Sequence, residues 1–417
     1  MLYKLKKNKA VVYLILLILL CFCLCQYGLQ RIFGFSLFPD EFGYWAPAAK
    51  MLGWDWSETT SLGSYYSFGY SLILAPILYF VYEYVIIDDC WSLRERVDGK
   101  LVADPALFPN GMKALADYIH SKGLKFGMYS CAGTKTCAGY PSSYGHEFSD
   151  AKQFAEWGVD YLKYDFCNFP VSGDAKNAYL TMAMALRSTG RDILFAACNW
   201  GMYDPSGWMR SHGAHSYRST GDIFDGPKSY KDLFISQVEN VENNAPGCWN
   251  DMDMLIVGMH GNGNVGIGGC SDLQYLQHFA MWAFLGSPLI IGADLRKLDD
   301  VNKKTLFCKG LIDINQDDEC RPPFLVDHAD TRKYTFAKLL SGNRIAIAFF
   351  NLAAEDQWSQ NVGICFDDLG IHSESGIRLQ LTDAITGEDL GIYEDSYTTK
   401  IAPDESKVII AQLIFPE

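Results

Sequence analysis

The sequence predicts an α/β chain that contains a (β/α)8 barrel of the TIM type followed by an antiparallel β-sandwich. Strand and helix patterns alternate from residue 81 to about residue 320, as expected for a parallel sheet covered by helices. The predicted strands end in polar and charged residues, which is typical of barrel enzymes. From residue 321 onward, apolar residues recur with period two, which favours antiparallel strands.

The elements of the barrel follow one another in order along the chain. Apolar, β-branched runs predict seven strands, at 84–89, 124–130, 159–165, 192–201, 215–222, 249–258 and 288–294. Apolar residues at helical spacing predict helices at 110–123, 149–158, 174–190, 230–240 and 272–286. A closed barrel of this type needs eight strands, so one strand of the barrel is unaccounted for.

Residues 321–417 predict the second domain. The stretches RKYTFAKLLSGNRIAIAFFNLA and KVIIAQLIFPE alternate with period two, and Ser341, Gly342 and Asn343 supply a turn between strands. We find no cluster of catalytic residues in this part. It is therefore expected to pack against the barrel as an accessory β-sandwich.

Residues 1–80 predict a hydrophobic segment that is foreign to the rest of the chain. Four lysines within residues 4–9 precede an uncharged apolar run from 10 to 25, which fits a signal anchor or the apolar region of a signal peptide. Because no clear cleavage site follows, we favour a retained anchor. Asp40 and Glu41 resemble the acidic pair of polytopic membrane glycosyltransferases. We place a seam near residue 80 and interpret the chain as a fusion of two unrelated gene fragments.

Charge and motifs exclude several function classes. The net charge of -14 argues against nucleic acid as a partner, since phosphate binding needs clustered Lys and Arg. No Gly-rich phosphate loop, HExxH or zinc-type CxxC pair occurs, so we expect neither a metal nor another cofactor. The chain has 13 cysteines, a number that suits an oxidising compartment, but spacing alone does not pair them.

The stretch YLKYDFCN, residues 161–168, indicates the chemistry. Lys163 and Asp165 are two apart on a predicted strand and therefore point to the same face. Two opposed carboxylates are the working groups of most glycosidases. Asp165 suits the nucleophile and Asp222, four residues after Arg218, suits the acid/base. The alternative is that both Lys163–Asp165 and Arg218–Asp222 are structural ion pairs, and spacing does not decide between the two interpretations.

Six motifs resemble the motifs of one enzyme family and occur in the same order as in that family: YVIIDDCW, FGMYSCAGTKTCAGYPSSYGHE, GVDYLKYDFCN, YRSTGDI, CWNDMDMLIVG and PLIIGADLR. They are similar to those of the α-galactosidases of the melibiase family, glycoside hydrolase family 27, from about residue 82 to the C terminus. The resemblance implies a (β/α)8 barrel followed by a β-sandwich. It also implies hydrolysis of terminal α-D-galactosyl residues of oligosaccharides or glycoconjugates, with retention of configuration and no metal.

The same resemblance implies roles for single residues. Asp165 would be the nucleophile and Asp222 the acid/base, and Asp88 and Asp89 would bind the galactose 4- and 6-hydroxyls. Four further side chains would line the pocket: Tyr129, Lys163, Arg218 and Asp253. The resemblance also implies a disulfide between Cys137 and Cys167, and a half-cystine at Cys90 whose partner lies in a family segment that this sequence does not match.

Three departures from the family pattern bear on function. Asn199 replaces a usual glutamate near the sugar 2-hydroxyl, and Met202 stands where the N-acetylgalactosaminidase branch has a small residue. The bulk of Met202 favours galactose over N-acetylgalactosamine. The family's first strand and helix have no match here, so the first barrel unit is missing or replaced. The alternatives are therefore an α-N-acetylgalactosaminidase or an inactive sugar-binding remnant.

The sequence also gives expectations about partners and location. We expect an α-galactoside substrate, membrane contact through the N-terminal segment, and an extracytoplasmic catalytic domain that is membrane-anchored or secreted. A homodimer is compatible with the sequence.

Overall fold

The computed structural model describes residues 82–263, 265–327, 332–354 and 358–416. The predictions for residues 1–80, including the anchor, Asp40 and Glu41, lie outside the described residues, and the seam near residue 80 stays a prediction. Within the described ranges, no helix is both long and apolar enough to cross a membrane.

A parallel sheet of six strands forms the first part of the fold, and its spatial order is the chain order, β1 to β6. The strands are β1 (Tyr84–Ile86), β2 (Lys125–Cys131), β3 (Tyr161–Asp165), β4 (Leu194–Ala197), β5 (Ser216–Arg218) and β6 (Trp249–Asp251). Such an order with strand–helix units is the arrangement of a barrel wall. The predicted fold class is therefore confirmed as a half-barrel sheet followed by a β-sandwich.

Seven α-helices of the described residues accompany this sheet. They are α1 (Gly111–Ser121), α2 (Glu147–Trp157), α3 (Ala175–Ser188), α4 (Pro227–Gln237), α5 (Asp272–Leu285), α6 (Asp300–Leu306) and α7 (Lys309–Asn315). Helix α5 shows why such segments start and stop where they do. Ser271 and Gln274 form a reciprocal capping box at its start, and Gly286 takes a left-handed conformation at its end.

Several predicted strands prove too long, and one is wrong. The predicted strand 288–294 makes only a single parallel bridge, between Leu255 and Ile291. Strand β6 ends at Asp251 instead of residue 258, because Asp253 has a φ of +86°, which extended backbone does not adopt. Likewise β4 ends at Ala197, ahead of Trp200 with a φ of +55°.

The two faces of β3 show how the sequence positions the site. Leu162 and Tyr164 are fully buried in the apolar cluster under helices α1 to α3. Tyr161, Lys163 and Asp165 alternate with them and therefore face the barrel interior. The period of two thus sends apolar side chains to the helices and the polar pair to the interior.

The C-terminal domain consists of two antiparallel sheets. One has the order β12-β11-β14-β9-β8-β7 and the other pairs β10 with β13. The strands are β7 (Phe324–Asp327), β8 (Lys333–Leu340), β9 (Arg344–Asn351), β10 (Gln360–Cys365), β11 (Arg378–Asp383), β12 (Asp389–Tyr393), β13 (Ser396–Ile401) and β14 (Ser406–Ile414). The larger sheet contains both stretches whose period-two pattern predicted strands.

Strand β9 is buried on both faces. Ile345, Ile347 and Phe349 belong to the apolar cluster between the two sheets. Ala346, Ala348 and Phe350 belong to a second cluster that includes helix α5. The ring centroids of Phe350 and Phe234 of α4 lie 5.4 Å apart. The sandwich therefore packs directly on the helices that cover the barrel.

Polar contacts connect the two domains as well. Lys231 of α4 pairs with the buried carboxylate of Asp404, and Gln274 Nε2 donates to the same carboxylate at 2.9 Å. Gln277 Nε2 donates to the Asn351 carbonyl at 2.9 Å. Because Asp404, Gln277 and Asn351 are buried, these hydrogen bonds fix how the sheet sits on α4 and α5.

Gly310 in α7 tests how closely the domains approach. A Cβ at this position would lie 2.0 Å from the Ala384 carbonyl oxygen of the sandwich. Alanine is normally better than glycine in a helix by about 1 kcal/mol. We nevertheless expect Gly310→Ala to lower the free energy of unfolding in urea by about 1–3 kcal/mol through overpacking.

Gly207→Ala is the matched control, because its new Cβ would meet only the Asp204 carboxylate at 3.4 Å. We expect its unfolding midpoint to stay near that of the unmodified chain. A Gly310→Ala variant as stable as this control would contradict the close contact between α7 and the sandwich.

Candidate active site

Asp165 is the last residue of β3 and lies at the carboxyl end of the strand, facing the barrel interior. Its Oδ1 accepts the Phe166 N–H at 2.8 Å, and Lys163 Nζ is 4.0 Å from its Oδ2. Lys163 Nζ also donates to Asp88 Oδ2 at 2.8 Å. One ammonium group therefore lies between the candidate nucleophile and a carboxylate at the end of β1.

Burial sets the electrostatics of this pair. Burial raises the pKa of Asp165 above its usual value, and the Lys163 ammonium and the Phe166 N–H partly offset that rise. Burial also opposes the charge of Lys163, but its neighbours, Asp88 and Asp165 among them, outweigh it and raise the pKa of Lys163 above that of an ordinary lysine. Lys163 therefore stays cationic and favours the ionised form of Asp165.

The Arg218 guanidinium donates hydrogen bonds to two further carboxylates. Its Nη2 donates to Asp222 Oδ1 at 2.9 Å and to Asp253 Oδ2. Arg218 is 3% exposed and Asp222 is exposed, so the guanidinium is fixed while Asp222 reaches solvent. Burial raises the pKa of Asp253 to about 6, although the Arg218 charge opposes the rise.

Asp222 lies in the loop after β5 and not on the strand, which ends at Arg218. The predicted strand 215–222 is corrected accordingly. The Ser219 N–H still donates to the Asp251 carbonyl at 2.9 Å, after which the chain leaves the sheet. The neighbouring Asp253 Oδ2 accepts the Ile223 N–H at 2.8 Å, which fixes the far side of the loop that carries Asp222.

Asp88 and Asp89 follow β1 and are held in different ways. Asp88 Oδ1 accepts the Asp89 N–H at 2.8 Å, while its Oδ2 accepts from Lys163. Asp89 Oδ2 accepts the Ala138 N–H at 2.9 Å. These contacts tie the end of β1 to the interior of the barrel and to the loop after β2.

Tyr129 and the two predicted half-cystines meet between β2 and β3. Cys137 and Cys167 form a disulfide, and the Tyr129 hydroxyl lies 3.3 Å from Cys137 Sγ. Lys163 Nζ lies 5.3 Å from the centre of the Tyr129 ring, within the range of a cation–π contact. Because the two sulfurs are bonded to each other, they are not thiolate ligands for a metal. Cys90 is an exposed free cysteine.

Asn199 and Met202 follow β4 in a turn. Asn199 Nδ2 donates to the Met202 carbonyl, and Asn199 Oδ1 is buried without a hydrogen-bond partner among the described residues. The Met202 side chain is exposed. The amide thus keeps one buried acceptor that has no partner among the described residues.

Sequence reasoning missed one carboxylate that takes part in the site. Asp251 is the last residue of β6, and its Oδ1 accepts the Asp253 N–H at 2.9 Å. It also acts electrostatically on Arg218. The available signal was its place two residues before Asp253, because residues two apart on a predicted strand share a face.

Hydrogen bonds, ion pairs and electrostatic contacts therefore link Asp88, Lys163, Asp165, Arg218, Asp222 and Asp253 at the carboxyl ends of the strands. The arrangement offers one buried carboxylate beside a fixed cation and one exposed carboxylate on a loop. Such a pair can supply a nucleophile and a proton donor for a substrate rich in hydroxyl groups.

Comparison with known proteins agrees with this geometry. A family model described as alpha galactosidase A matches residues 78–317. A second model, the alpha galactosidase C-terminal beta sandwich domain, matches residues 332–411. The first model alone covers more than half of the chain.

Alpha-galactosidases are found both among the curated proteins similar to this chain and among the similar crystal structures. Alpha-galactosidase 2 of Arabidopsis thaliana is 42% identical over 296 residues, 70% of this chain and 71% of the relative. An alpha-galactosidase of Cyamopsis tetragonoloba is 38% identical over 77% of this chain and 76% of the relative. The crystal structure of alpha-galactosidase I from Mortierella vinacea is 31% identical, with a TM-score of 0.72 over 81% of this chain and 90% of that one. The resemblance inferred from the six motifs is confirmed, and the chain belongs to the alpha-galactosidase (melibiase) family, glycoside hydrolase family 27.

Proposed function

We propose that this chain is a retaining α-galactosidase that removes terminal, non-reducing α-D-galactosyl residues. The observation that carries the proposal is the pair of networks around Lys163 and Arg218, each of which holds one of the two candidate catalytic carboxylates. Curated alpha-galactosidases at about 40% identity support the activity. A yeast relative that is 26% identical was solved with raffinose, which supports galactosyl oligosaccharides as the substrate class.

In the first step, Asp165 attacks the anomeric carbon while Asp222 gives its proton to the leaving oxygen. The bond to the aglycone breaks, and a β-linked galactosyl ester of Asp165 forms. The esterified Asp165 no longer carries a negative charge. Asp222, now ionised, then takes a proton from water, which attacks the same carbon and releases galactose in the α configuration.

The remaining residues bind and orient the sugar in this proposal. Asp88 and Asp89 accept hydrogen bonds from the 4- and 6-hydroxyls, and the axial 4-hydroxyl distinguishes galactose from glucose. Asn199 hydrogen-bonds the 2-hydroxyl once sugar binding has exposed its amide oxygen, which is buried in the free chain. Met202 limits the space beside that position and disfavours an acetamido group.

The direct test is release of nitrophenol from four nitrophenyl glycosides by the purified chain. We expect turnover of the α-galactoside, and little or none of the β-galactoside, the α-N-acetylgalactosaminide or the β-L-arabinopyranoside. Nuclear magnetic resonance of the first-formed sugar should show the α anomer, whereas the β anomer would contradict a retaining mechanism.

A second candidate function is sugar binding without turnover. The observation in its favour is that β1 pairs only with β2 among the described strands, so the barrel wall described here is not closed. Galactose that shifts the melting temperature of a chain inactive on nitrophenyl α-galactoside would favour this candidate. Measurable hydrolysis that depends on Asp165 would exclude it.

The pH profile tests the role of Lys163. Catalysis requires ionised Asp165, and burial raises the pKa of that carboxyl while Lys163 opposes the rise. Activity is therefore present above the pKa of Asp165 and is lost as pH falls through it. We expect Lys163→Met to raise this pKa further, so that the acidic limb of kcat/KM moves to higher pH.

Lys113→Met is the control, since Lys113 forms an exposed ion pair with Asp117 on helix α1. Its pH profile should match that of the unmodified chain. An acidic limb that stays in place in Lys163→Met would contradict the electrostatic coupling to Asp165.

We also propose that the catalytic domain lies in an extracytoplasmic compartment, anchored or secreted. The Cys137–Cys167 disulfide supports this location, because such bonds persist in oxidising environments. Protease accessibility on intact cells of the native host tests the location. Membrane contact through residues 1–80 and a homodimer stay predictions.

A further inference from the structure

The loop between β5 and helix α4 carries the proposed acid/base, and its side chains alternate between solvent and interior. Asp222 and Phe224 are exposed, whereas Ile223 and Asp225 are fully buried. This period of two is that of an extended chain, which sends successive side chains to opposite sides. The two buried side chains therefore hold the backbone of the loop, while Asp222 points outward.

The carboxylate of Asp225 is held by two donors from distant parts of the chain. The Tyr275 hydroxyl donates to its Oδ1 at 2.9 Å, and the Gly261 N–H donates to its Oδ2 at 2.6 Å. Burying an ionised carboxylate is costly unless hydrogen bonds compensate for the lost water. Both bonds therefore stabilise the conformation of the loop, three residues after Asp222.

The other contacts of Tyr275 fix the direction of its hydrogen bond. The hydroxyl accepts the His260 N–H at 2.6 Å and the Cys270 N–H at 3.3 Å. A tyrosine hydroxyl has a single hydrogen, which is therefore directed to Asp225. Tyr275 is fully buried near the start of α5, so this donor is attached to a rigid element.

Only an ionised carboxylate matches the two donors. Because the Tyr275 hydroxyl and the Gly261 N–H both donate, each oxygen of Asp225 has to accept. An asparagine has one oxygen and one NH₂ group. At this position its NH₂ group would face a donor, so the substitution Asp225→Asn removes one hydrogen bond and sets two donors against each other.

The backbone of the loop after β6 approaches the acid/base loop closely. Asp225 forms a parallel bridge with Gly266, and the Asp225 N–H donates to the Val265 carbonyl at 2.9 Å. A Cβ at Gly266 would lie 2.3 Å from the Gly261 carbonyl oxygen. Any side chain at Gly266 would therefore displace Gly261, whose N–H is one of the two donors to Asp225.

We propose that Asp225 is the positioning residue of the acid/base, an inference that rests on the proposed function. It anchors the loop of Asp222 to α5 and to the loop after β6. On the near side, the Ile223 N–H donates to Asp253 Oδ2 at 2.8 Å. Proton transfer from Asp222 requires hydrogen-bond reach of the leaving oxygen, so a shift of the loop lowers the rate of that step.

The substitution Asp225→Asn is tested with two substrates that differ in leaving group, phenyl and dinitrophenyl α-galactoside. Departure of phenoxide needs the proton of Asp222, whereas dinitrophenoxide leaves without it. We expect kcat/KM to fall about 10²-fold for the phenyl substrate, as a misplacement of about 1 Å can cause, and less than about tenfold for the dinitrophenyl substrate. The ratio of the two values does not depend on the fraction of folded protein.

Asp317→Asn is the matched control, because Asp317 is also buried and also accepts a backbone N–H and a hydroxyl, both from Ser341. This variant should melt at a lower temperature but keep the ratio of the unmodified chain. Tyr275→Phe and Gly266→Ala each disturb one donor and leave Asp225 itself unchanged. Both should change the ratio in the same direction as Asp225→Asn does.

The double variant Asp222→Ala/Asp225→Asn shows whether Asp225 acts through Asp222. If it does, Asp225→Asn lowers kcat/KM for the phenyl substrate no further once Asp222 has been replaced. Equal losses for both substrates in Asp225→Asn, or a full further loss in the double variant, would overturn the inference and leave the proposed function intact. No hydrolysis of either substrate by the unmodified chain would instead overturn both.

Discussion

Replacing Asp165 with alanine is expected to lower kcat/KM for nitrophenyl α-galactoside by roughly 10⁴-fold to 10⁶-fold, the range that follows removal of a catalytic nucleophile. The reason is that, among the residues that the structure describes, Asp165 is the only carboxylate at the carboxyl end of β3. Without it, the galactosyl ester cannot form. Initial rates with the purified variant measure the effect.

Azide gives this prediction a stereochemical signature. In Asp165→Ala, azide can attack the anomeric carbon from the side that the carboxylate has vacated, and the aryloxide leaves. The product of this single displacement is β-galactosyl azide, with inversion. An α-linked azide from this variant would assign the nucleophile to a different residue.

Asp160→Asn is the matched control, since Asp160 directly precedes β3 and lies at the opposite end of the same strand. Its carboxylate accepts from His120 at 2.6 Å and from the Phe126 N–H at 2.8 Å, and it pairs with Arg191. We expect this variant to melt at a lower temperature but to keep its activity per folded molecule. Equal loss of activity in both variants would point to unfolding and not to chemistry.

Replacing Asp222 with alanine is expected to lower kcat by about 10²-fold to 10⁴-fold for substrates with a poor leaving group, as loss of a general acid does. For activated aryl galactosides the first step needs less proton donation. The galactosyl ester of Asp165 should then accumulate, because its hydrolysis still lacks the base. Intact-mass spectrometry of the quenched reaction detects the ester.

Azide also tests whether Asp222 is the acid/base. It should open the ester in Asp222→Ala and give α-galactosyl azide, with a higher rate than without azide. Asp232→Asn, on the exposed face of α4 with Lys228 as its partner, is expected to behave like the unmodified chain. If azide neither raises the rate nor appears in the product, Asp222 is not the acid/base.

The sequence predicted the residues of β3 well because a strand buried on both faces has a strict period of two. Leu162 and Tyr164 had to face the helices, so Lys163 and Asp165 had to face the interior. The order of the parallel strands also followed from strand–helix alternation alone. These features depend on local pattern and chain connectivity, which are both visible in the sequence.

Other features depend on contacts between distant parts of the chain. The pairing of Arg218 with Asp222 was visible as a spacing of four, but Asp253 is 35 residues away and shares the same guanidinium. Helices α6 and α7 have seven residues each, which is too short for a clear periodic pattern. Helix α4 begins at Pro227, three residues before the predicted start, because proline is favoured in the first turn.

The packing of strand β9 determines whether the barrel can be produced without the β-sandwich. Phe350 and its neighbours cover apolar side chains of α4 and α5. A chain cut at residue 320 would therefore leave an exposed apolar surface on the barrel. Such a fragment would aggregate before its chemistry could be assayed. We therefore expect the barrel and the β-sandwich to be produced in soluble form only as one polypeptide.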